Sequence, residues 1–139
     1  MALVPYSVDN MFALVSNIGD YPKFLPWCQS IILHSQTESE VVATIKMGGA
    51  GLKQAFTTTN IIKPHHWIKM RLLKGPFSHL QGDWQFRPLG KEGCKISLNL
   101  EFDISNRLLK MSLGPVFTKI ANTLVDAFVK RANKLYGKV

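Results

Sequence analysis

The sequence has few cysteines and no pattern of metal ligands. Its 139 residues include only two cysteines, Cys28 and Cys94, which are too few for a disulfide scaffold and lack the spacing of a metal site. His65 and His66 are adjacent, and adjacent residues of a strand point to opposite faces, so they cannot easily share an ion. We therefore expect a reducing, intracellular environment and no bound metal.

Long apolar runs are also missing. The N-terminus MALVPYSVDNMF has no basic leader followed by an apolar stretch, so it is not typical of a secretory signal. No segment approaches the ~20 consecutive apolar residues that a membrane-spanning helix needs. We expect a cytoplasmic protein that at most makes peripheral contact with the inner face of a membrane.

Motifs of catalysis are absent as well. The sequence contains no nucleophile motif, no HExxH and no phosphate-binding glycine loop. Glu101 and Asp103 share one face of a predicted strand, but that face is polar, which favours solvated carboxylates over an acid–base pair. The sequence therefore predicts a protein that is not an enzyme.

Positive charge is abundant. The chain has 17 basic and 9 acidic residues, a net charge of +8. Such a balance favours an anionic partner, either nucleic acid or an acidic membrane surface. A basic protein without such a partner is an equally good interpretation of the composition alone.

Hydrophobic periodicity predicts the order of the secondary structure. Residues 1–4 end a short strand, Ser7 is the N-cap of a helix through about Asn17, and the two prolines of GDYPKFLPWC allow only a short helical turn. Turn signals such as GGAG at 48–51 separate the later strands. The six later strands are predicted at about 28–37, 41–48, 53–62, 67–74, 79–88 and 94–105.

A long C-terminal helix is predicted from about Asn106 to Tyr136, with Gly114-Pro115 kinking or interrupting it near its start. One curved antiparallel sheet cannot bury its concave face alone, so this helix is the expected cover. We predict an α+β helix-grip fold: about seven strands wrap the C-terminal helix around an apolar tunnel, in a single domain of residues 1–139.

One predicted strand has a glycine in the middle of an apolar face that otherwise carries large side chains. In GPFSHLQGDWQF, residues 75–86, Leu80, Gly82, Trp84 and Phe86 alternate with polar residues. A glycine among large side chains either widens a cavity beneath it or marks a bulge or tight bend in the sheet. The spacing does not favour one explanation over the other.

Four segments in this order carry a family resemblance: LVPYS at 3–7, YPKFLPWC at 21–28, FTTTN at 56–60, and GPF with its downstream alternating residues. Together they resemble the coenzyme Q-binding START-domain family, within the wider polyketide cyclase/dehydrase group. The resemblance runs from Ala2 to about Tyr136. Family members usually have a longer first strand before ALVPYS, so we expect either a shorter edge strand here or a start codon placed late.

The resemblance implies binding of ubiquinone or a similar polyisoprenoid lipid in the tunnel, in support of respiratory electron transport as a carrier or chaperone. Ubiquinone would be a bound ligand, and no obligatory cofactor is implied. One branch of the family is described as a toxin that binds the large ribosomal subunit and blocks its joining to the small one. We take lipid binding as the main prediction and ribosome association as the alternative. Cyclase activity is not expected, because the inward faces that the pattern predicts are apolar.

The candidate ligand-binding residues follow from these patterns, although plain core packing explains any one of them as well. Tyr21 and Trp84 carry the hydrogen-bond donors that a quinone carbonyl would need. YPKFLPWC is either a gate, a membrane-dipping edge or a packed corner. The predicted set is Tyr21, Phe24, Leu25, Trp27, Leu80, Gly82, Trp84, Phe86, Phe117, Leu124 and Phe128.

A basic face of the C-terminal helix is the candidate surface for an anionic partner. It comprises Lys119, Lys130 and Lys134, flanked by Arg131 and Lys138. Anionic lipid head groups, RNA phosphates and bulk water are three alternatives that the sequence leaves open. No exposed pair of strand aromatics, the usual signal of RNA binding by a sheet, is predicted.

Overall fold

Seven antiparallel strands form one sheet in the order β1-β7-β6-β5-β4-β3-β2. The structure is a computed structural model that describes residues 1–49 and 53–137. The GGAG turn falls partly outside the described residues, since only its first two glycines are included. The elements are β1 (Ala2–Val4), α1 (Val8–Ser16), a 3-10 helix (Ile18–Lys23), β2 (Cys28–Gln36), β3 (Glu40–Met47), β4 (Ala55–Lys63), β5 (Trp67–Lys74), β6 (His79–Leu89), β7 (Gly93–Asp103) and α2 (Arg107–Tyr136).

The predicted helix-grip fold is confirmed, and the strand bounds differ from the predicted ones by two residues at most. Helix α1 begins as predicted, because the Oγ of Ser7 accepts a hydrogen bond from the backbone N–H of Asn10 at 3.1 Å. The segment with the two prolines is a short 3-10 helix that contains Pro22, and Leu25 then donates its N–H to the carbonyl of Tyr21 at 2.9 Å.

The sheet is regular at Gly82 of β6. Gly82 pairs with Met70 on β5 and with Leu100 on β7, and neither register shifts at this point. Register shifts occur elsewhere, in β2 and between Thr57 and Thr58 of β4. A bulge at Gly82 is therefore excluded as the reason for the glycine.

Helix α2 runs without a break through Gly114 and Pro115. The predicted interruption of the helix at these residues is therefore wrong. Its N-cap is Asn106, whose Oδ1 accepts the N–H of Leu109 at 3.0 Å. A proline at 115 removes the N–H that would bond to the carbonyl of Met111. Met111 and Pro115 are both exposed, so the carbonyl of Met111 is accessible to water and the helix can continue.

Two clusters of buried side chains fill the space between the sheet and α2. The first cluster joins α1 to the C-terminal half of α2 and includes Phe12, Trp84 and Phe128. The second joins the far end of the sheet to the N-terminal half of α2 and includes Phe56 and Phe117. A cavity lies where the two clusters meet.

Candidate functional site

A cavity of about 60 Å³ lies between the concave face of the sheet and α2. Its wall draws on both core clusters: Val15, Ile18 and Phe128 come from the first, and Phe56 and Phe117 from the second. Pockets that hold drug-sized ligands enclose about 300–1,000 Å³. The cavity in this conformation is therefore too small for a quinone head group with its tail.

Most of the predicted ligand-binding residues lie in the cavity wall. Phe128 is at the centre of this group, because its ring contacts those of Tyr21 and Trp84 at centroid distances of 5.3 and 5.1 Å. Contact of these residues with a ligand stays a prediction. The predicted residues in the wall are Tyr21, Leu25, Trp27, Trp84, Phe117, Leu124 and Phe128.

The other four predicted residues lie outside the described wall of the cavity. Leu80 is buried in the second core cluster, and Phe86 packs edge-on against Phe12 of α1 at 5.4 Å. Phe24 packs against Phe128, also at 5.3 Å, and beneath Arg131. These side chains support the wall residues from behind.

Gly82 does not open onto the cavity, which corrects the expectation that its missing side chain widens the tunnel. A Cβ built on Gly82 would lie 3.2 Å from Leu100 Cδ1 and 3.2 Å from Met70 Cε. Leu100 and Met70 are themselves wall residues. The glycine therefore makes room for its neighbours on β5 and β7, and these two side chains form the wall over it.

Two polar wall residues correct the expectation that every inward face is apolar. Thr58 and Asn60 are buried on β4 and line the cavity. The Thr58 hydroxyl donates to the amide oxygen of Asn60 at 3.4 Å, which leaves the Asn60 amide nitrogen as the group that can donate to a ligand. The alternation of FTTTN places Phe56, Thr58 and Asn60 on one face, so the signal was present in the sequence.

The predicted donor on Tyr21 is already engaged. The Tyr21 hydroxyl donates to the carbonyl of Val15, and burial, with a smaller effect from Cys28, raises the pKa of Tyr21 far above its usual value. Burial also raises the pKa of the Cys28 thiol to about 11. The phenol and the thiol are therefore neutral at pH 7, and the thiol is not an activated nucleophile.

An open groove of about 590 Å³ adjoins the cavity on the outside. Trp27 and Ile120 line both spaces, so these two side chains form the partition between them. Lys53 and Lys119 lie at the groove. Leu25 and Trp27 place YPKFLPWC in the cavity wall and at this partition, which agrees with both the gate and the packed-corner interpretations.

The predicted basic face of α2 is only partly formed. Lys119, Lys130 and Lys134 are exposed. Arg131 instead turns toward the core, with its guanidinium carbon 5.3 Å from the centroid of the Phe24 ring, and its buried Nε has no hydrogen-bond partner among the described residues. Lys138 lies outside the described residues.

Within residues 1–49 and 53–137, no group of three or more His, Cys, Asp or Glu side chains is arranged to hold a metal ion. Across the same part of the chain, none of the helices combines the length and the apolar character needed to cross a membrane.

Comparison with known proteins identifies relatives over the whole chain. Ribosome association toxin RatA of Pseudomonas aeruginosa is 46% identical over 136 residues, which are 98% of this chain and 94% of that protein. The mitochondrial coenzyme Q-binding protein COQ10 of Drosophila melanogaster is 25% identical, over 97% of this chain and 57% of COQ10.

The fold has solved counterparts. The crystal structure of the Zhui aromatase/cyclase from Streptomyces sp. R1128 superposes with a TM-score of 0.82 over 99% of this chain and 95% of that one, at 16% identity. This likeness concerns the fold alone. The family described as polyketide cyclase/dehydrase and lipid transport matches residues 4–129. The resemblance predicted from the sequence motifs is thus confirmed, and the chain belongs to the polyketide cyclase/dehydrase and lipid transport family.

Proposed function

We propose that this protein associates with the ribosome and restrains translation, by binding the large subunit and blocking its joining to the small one. The observation that carries the proposal is the 46% identity to ribosome association toxin RatA over 98% of this chain. The net charge of +8 supports it, because ribosomal RNA presents phosphates over most of its surface. This order reverses the prediction from the sequence, in which lipid binding came first.

Sedimentation tests the proposal. Lysate that contains the tagged full chain is centrifuged through sucrose gradients at low and at raised salt. We expect the chain to migrate with the large subunit at low salt and to dissociate as salt rises, since phosphate contacts weaken steeply with ionic strength. A chain that stays at the top of the low-salt gradient contradicts the proposal.

The blocking step has its own measurement. Purified small and large subunits are mixed, and their joining is followed by light scattering with and without the protein. We expect a lower plateau of joined ribosomes in the presence of equimolar protein. An unrelated basic protein of similar charge is the control. Equal inhibition by that protein would show that the effect is a non-specific consequence of positive charge and would contradict the proposal.

A second candidate function, the binding of ubiquinone or a similar polyisoprenoid, is supported by the apolar cavity between the sheet and α2. Its wall is apolar apart from a few polar groups such as Asn60, which is the usual composition of a lipid pocket. Since the cavity holds only about 60 Å³, uptake requires Trp27 and Ile120 to part and join the cavity to the outer groove. The two functions use different parts of the molecule and are compatible.

Mass spectrometry of an organic extract tests this second function. The protein is extracted as purified and again after incubation with ubiquinone in detergent, beside an unrelated basic protein. A stoichiometric quinone supports lipid binding. An empty extract in both preparations contradicts it and leaves the ribosomal proposal untouched.

We also propose that the protein binds without catalysing a reaction. The cavity wall contains no described carboxylate or histidine, and burial raises the pKa of the Cys28 thiol above the range of activated thiols. Conversion of a bound quinone or polyketide by the purified protein alone would contradict this.

A further inference from the structure

The convex face of the sheet carries a tryptophan that the cavity does not use. Trp67 lies on β5 beside the buried Ile68, so its side chain points away from the cavity and is half-buried on the outer surface. The Nζ of Lys69 lies over the Trp67 ring, 4.7 Å from its centroid. An aromatic ring held at the surface beside a cation offers a flat platform for stacking.

Cross-strand register gathers further cations around this ring. Lys63 of β4 pairs with Trp67, and Arg87 of β6 pairs with Lys95 of β7. The only described acid in the grooves beside the ring is Asp83, which is bound to Arg71 at 3.2 Å. The convex basic surface is defined as Lys63, Trp67, Lys69, Arg71, Arg87 and Lys95.

The shape of this surface suits an extended polymer. Two grooves of about 600 and 440 Å³ adjoin there, and both are lined by Trp67, Gln85 and Ser97. Asn99 adds another polar group to the larger groove. Gln85, Ser97 and Asn99 place hydrogen-bonding groups between the cations, where a surface that enters a membrane would be apolar.

The basic face of α2 is the competing surface, and it is the weaker one. Lys119 and Lys130 are separated by about 16 Å of helix axis, and Asp126 lies between them in sequence. Arg131 faces Phe24 instead of solvent. The cations of α2 are therefore spread along a line, and of Lys119, Lys130 and Lys134 only Lys119 shares a described groove with an aromatic ring, that of Trp27.

We propose that the convex basic surface binds single-stranded RNA, with a base stacked on Trp67 and the flanking phosphates held by the basic side chains. Base stacking on aromatic residues combined with a positively charged groove is the general means of binding unpaired strands. A duplex buries the faces of its bases and offers nothing to Trp67. This inference rests on the proposed ribosomal function only for its source of RNA, an unpaired segment of ribosomal RNA.

Charge reversal at matched positions tests the location. The probe is a fluorescein-labelled single-stranded RNA of about 12 nucleotides, within the range of known single-strand sites, and binding is followed by anisotropy. The variant Lys69→Glu/Lys95→Glu is compared with Lys130→Glu/Lys134→Glu, which changes the net charge equally. We expect affinity to fall about tenfold or more for the first and less than about threefold for the second. Equal losses, or the reverse order, overturn the proposal.

Substitution of the ring tests the stacking. Trp67→Ala should weaken binding about 5- to 150-fold, the range for loss of one stacked base, whereas Trp67→Phe keeps a ring and should retain most of the affinity. Thermal unfolding of each variant shows whether it is folded. Wild-type affinity in Trp67→Ala overturns the proposal. If Trp67→Ala does not fold, the decisive comparison is between Trp67→Phe and Lys69→Glu/Lys95→Glu. An RNA affinity of Trp67→Phe as low as that of Lys69→Glu/Lys95→Glu then overturns the proposal.

Two further probes separate the alternatives. Duplex RNA of the same length should bind more weakly than the single strand, and vesicles of phosphatidylglycerol should bind independently of Trp67. The proposal is overturned if duplex RNA or the vesicles bind more tightly than the single strand and if that binding is lost when Lys69 and Lys95 are reversed.

Sedimentation distinguishes the inferred RNA site from the proposed ribosome association. Ribosome binding that survives in Lys69→Glu/Lys95→Glu contradicts this inference alone. If the wild-type protein binds the RNA probe but does not bind ribosomes, only the proposed function is contradicted.

Discussion

The concave and convex faces of one sheet differ in the residues that they carry, although the same strands build both. On β5, Ile68 and Met70 point to the cavity, whereas Trp67 and Lys69 point outward. The described wall of the cavity carries no charged side chain, and Thr58 and Asn60 are among its uncharged polar residues. Because side chains alternate with a period of two, evolution can vary one face without altering the other.

Phe128→Ala should be the most damaging change. Phe128 is fully buried and its ring contacts those of Tyr21, Phe24 and Trp84. Loss of such a ring lowers the free energy of unfolding by about 3–5 kcal/mol, measured by urea denaturation. Leu135→Ala on the same helix is the matched control, since Leu135 is 49% exposed, and it should cost about 0.5 kcal/mol or less. Equal losses would contradict the assignment of the faces.

Gly82→Leu should have an intermediate effect. The new side chain meets Leu100 and Met70 and pushes them into the cavity, at a cost of about 1–3 kcal/mol for overpacking. The variant should stay folded and lose any quinone recovered by organic extraction from the wild type. Gln85→Leu, which points outward from the same strand, is the control and should retain the quinone. Retention of quinone by Gly82→Leu would contradict the position of the cavity.

Stability should fall at high pH because of groups on the concave side. Cys28 ionises at about pH 9 when unfolded and at about pH 11 when folded. The stabilisation is therefore complete below about pH 9 and is lost as the pH rises through 11. Tyr21, whose pKa burial also raises, adds to the loss at the upper end. Urea unfolding at several pH values measures the slope, and Cys28→Ala should make it shallower. An unchanged slope in that variant would contradict the prediction.

Asp83→Asn on the convex face should have the smallest effect. The Arg71–Asp83 ion pair is partly exposed to solvent, and such pairs contribute about 0–1 kcal/mol. Thermal unfolding should therefore shift little. RNA affinity should rise slightly, because the change releases Arg71 and removes the acid from the larger groove. A drop of several kcal/mol in stability would mean that the convex face carries more of the fold than its exposure indicates.

Much of the fold follows from local patterns in the sequence. The N-cap at Ser7 and the alternation along β6 and β7 predicted element types and order, because these signals depend on neighbours in the chain. The same alternation placed Trp84 inward, and helical spacing did so for Phe117 and Phe128. The alternation of FTTTN also places Thr58 and Asn60 on the cavity face, but residues of these types are mostly exposed, so the pattern alone did not predict them as wall residues.

Other features depended on distant parts of the chain. The role of Gly82 required knowing that Met70 and Leu100 flank it. The inward turn of Arg131 required the position of Phe24, which lies more than a hundred residues earlier. Trp67 gave no signal on its own, because its cationic surroundings come from three other segments of β structure.

By itself the sequence determined the order of strands and helices, the apolar stripe of α2, the net positive charge and the family. These properties arise from composition and from interactions a few residues apart. Only the tertiary structure decided the size of the cavity, the partition at Trp27 and Ile120, and the gathering of cations around Trp67. Each of these is a distance between side chains on different strands or helices, and such distances exist only once the sheet has closed over α2.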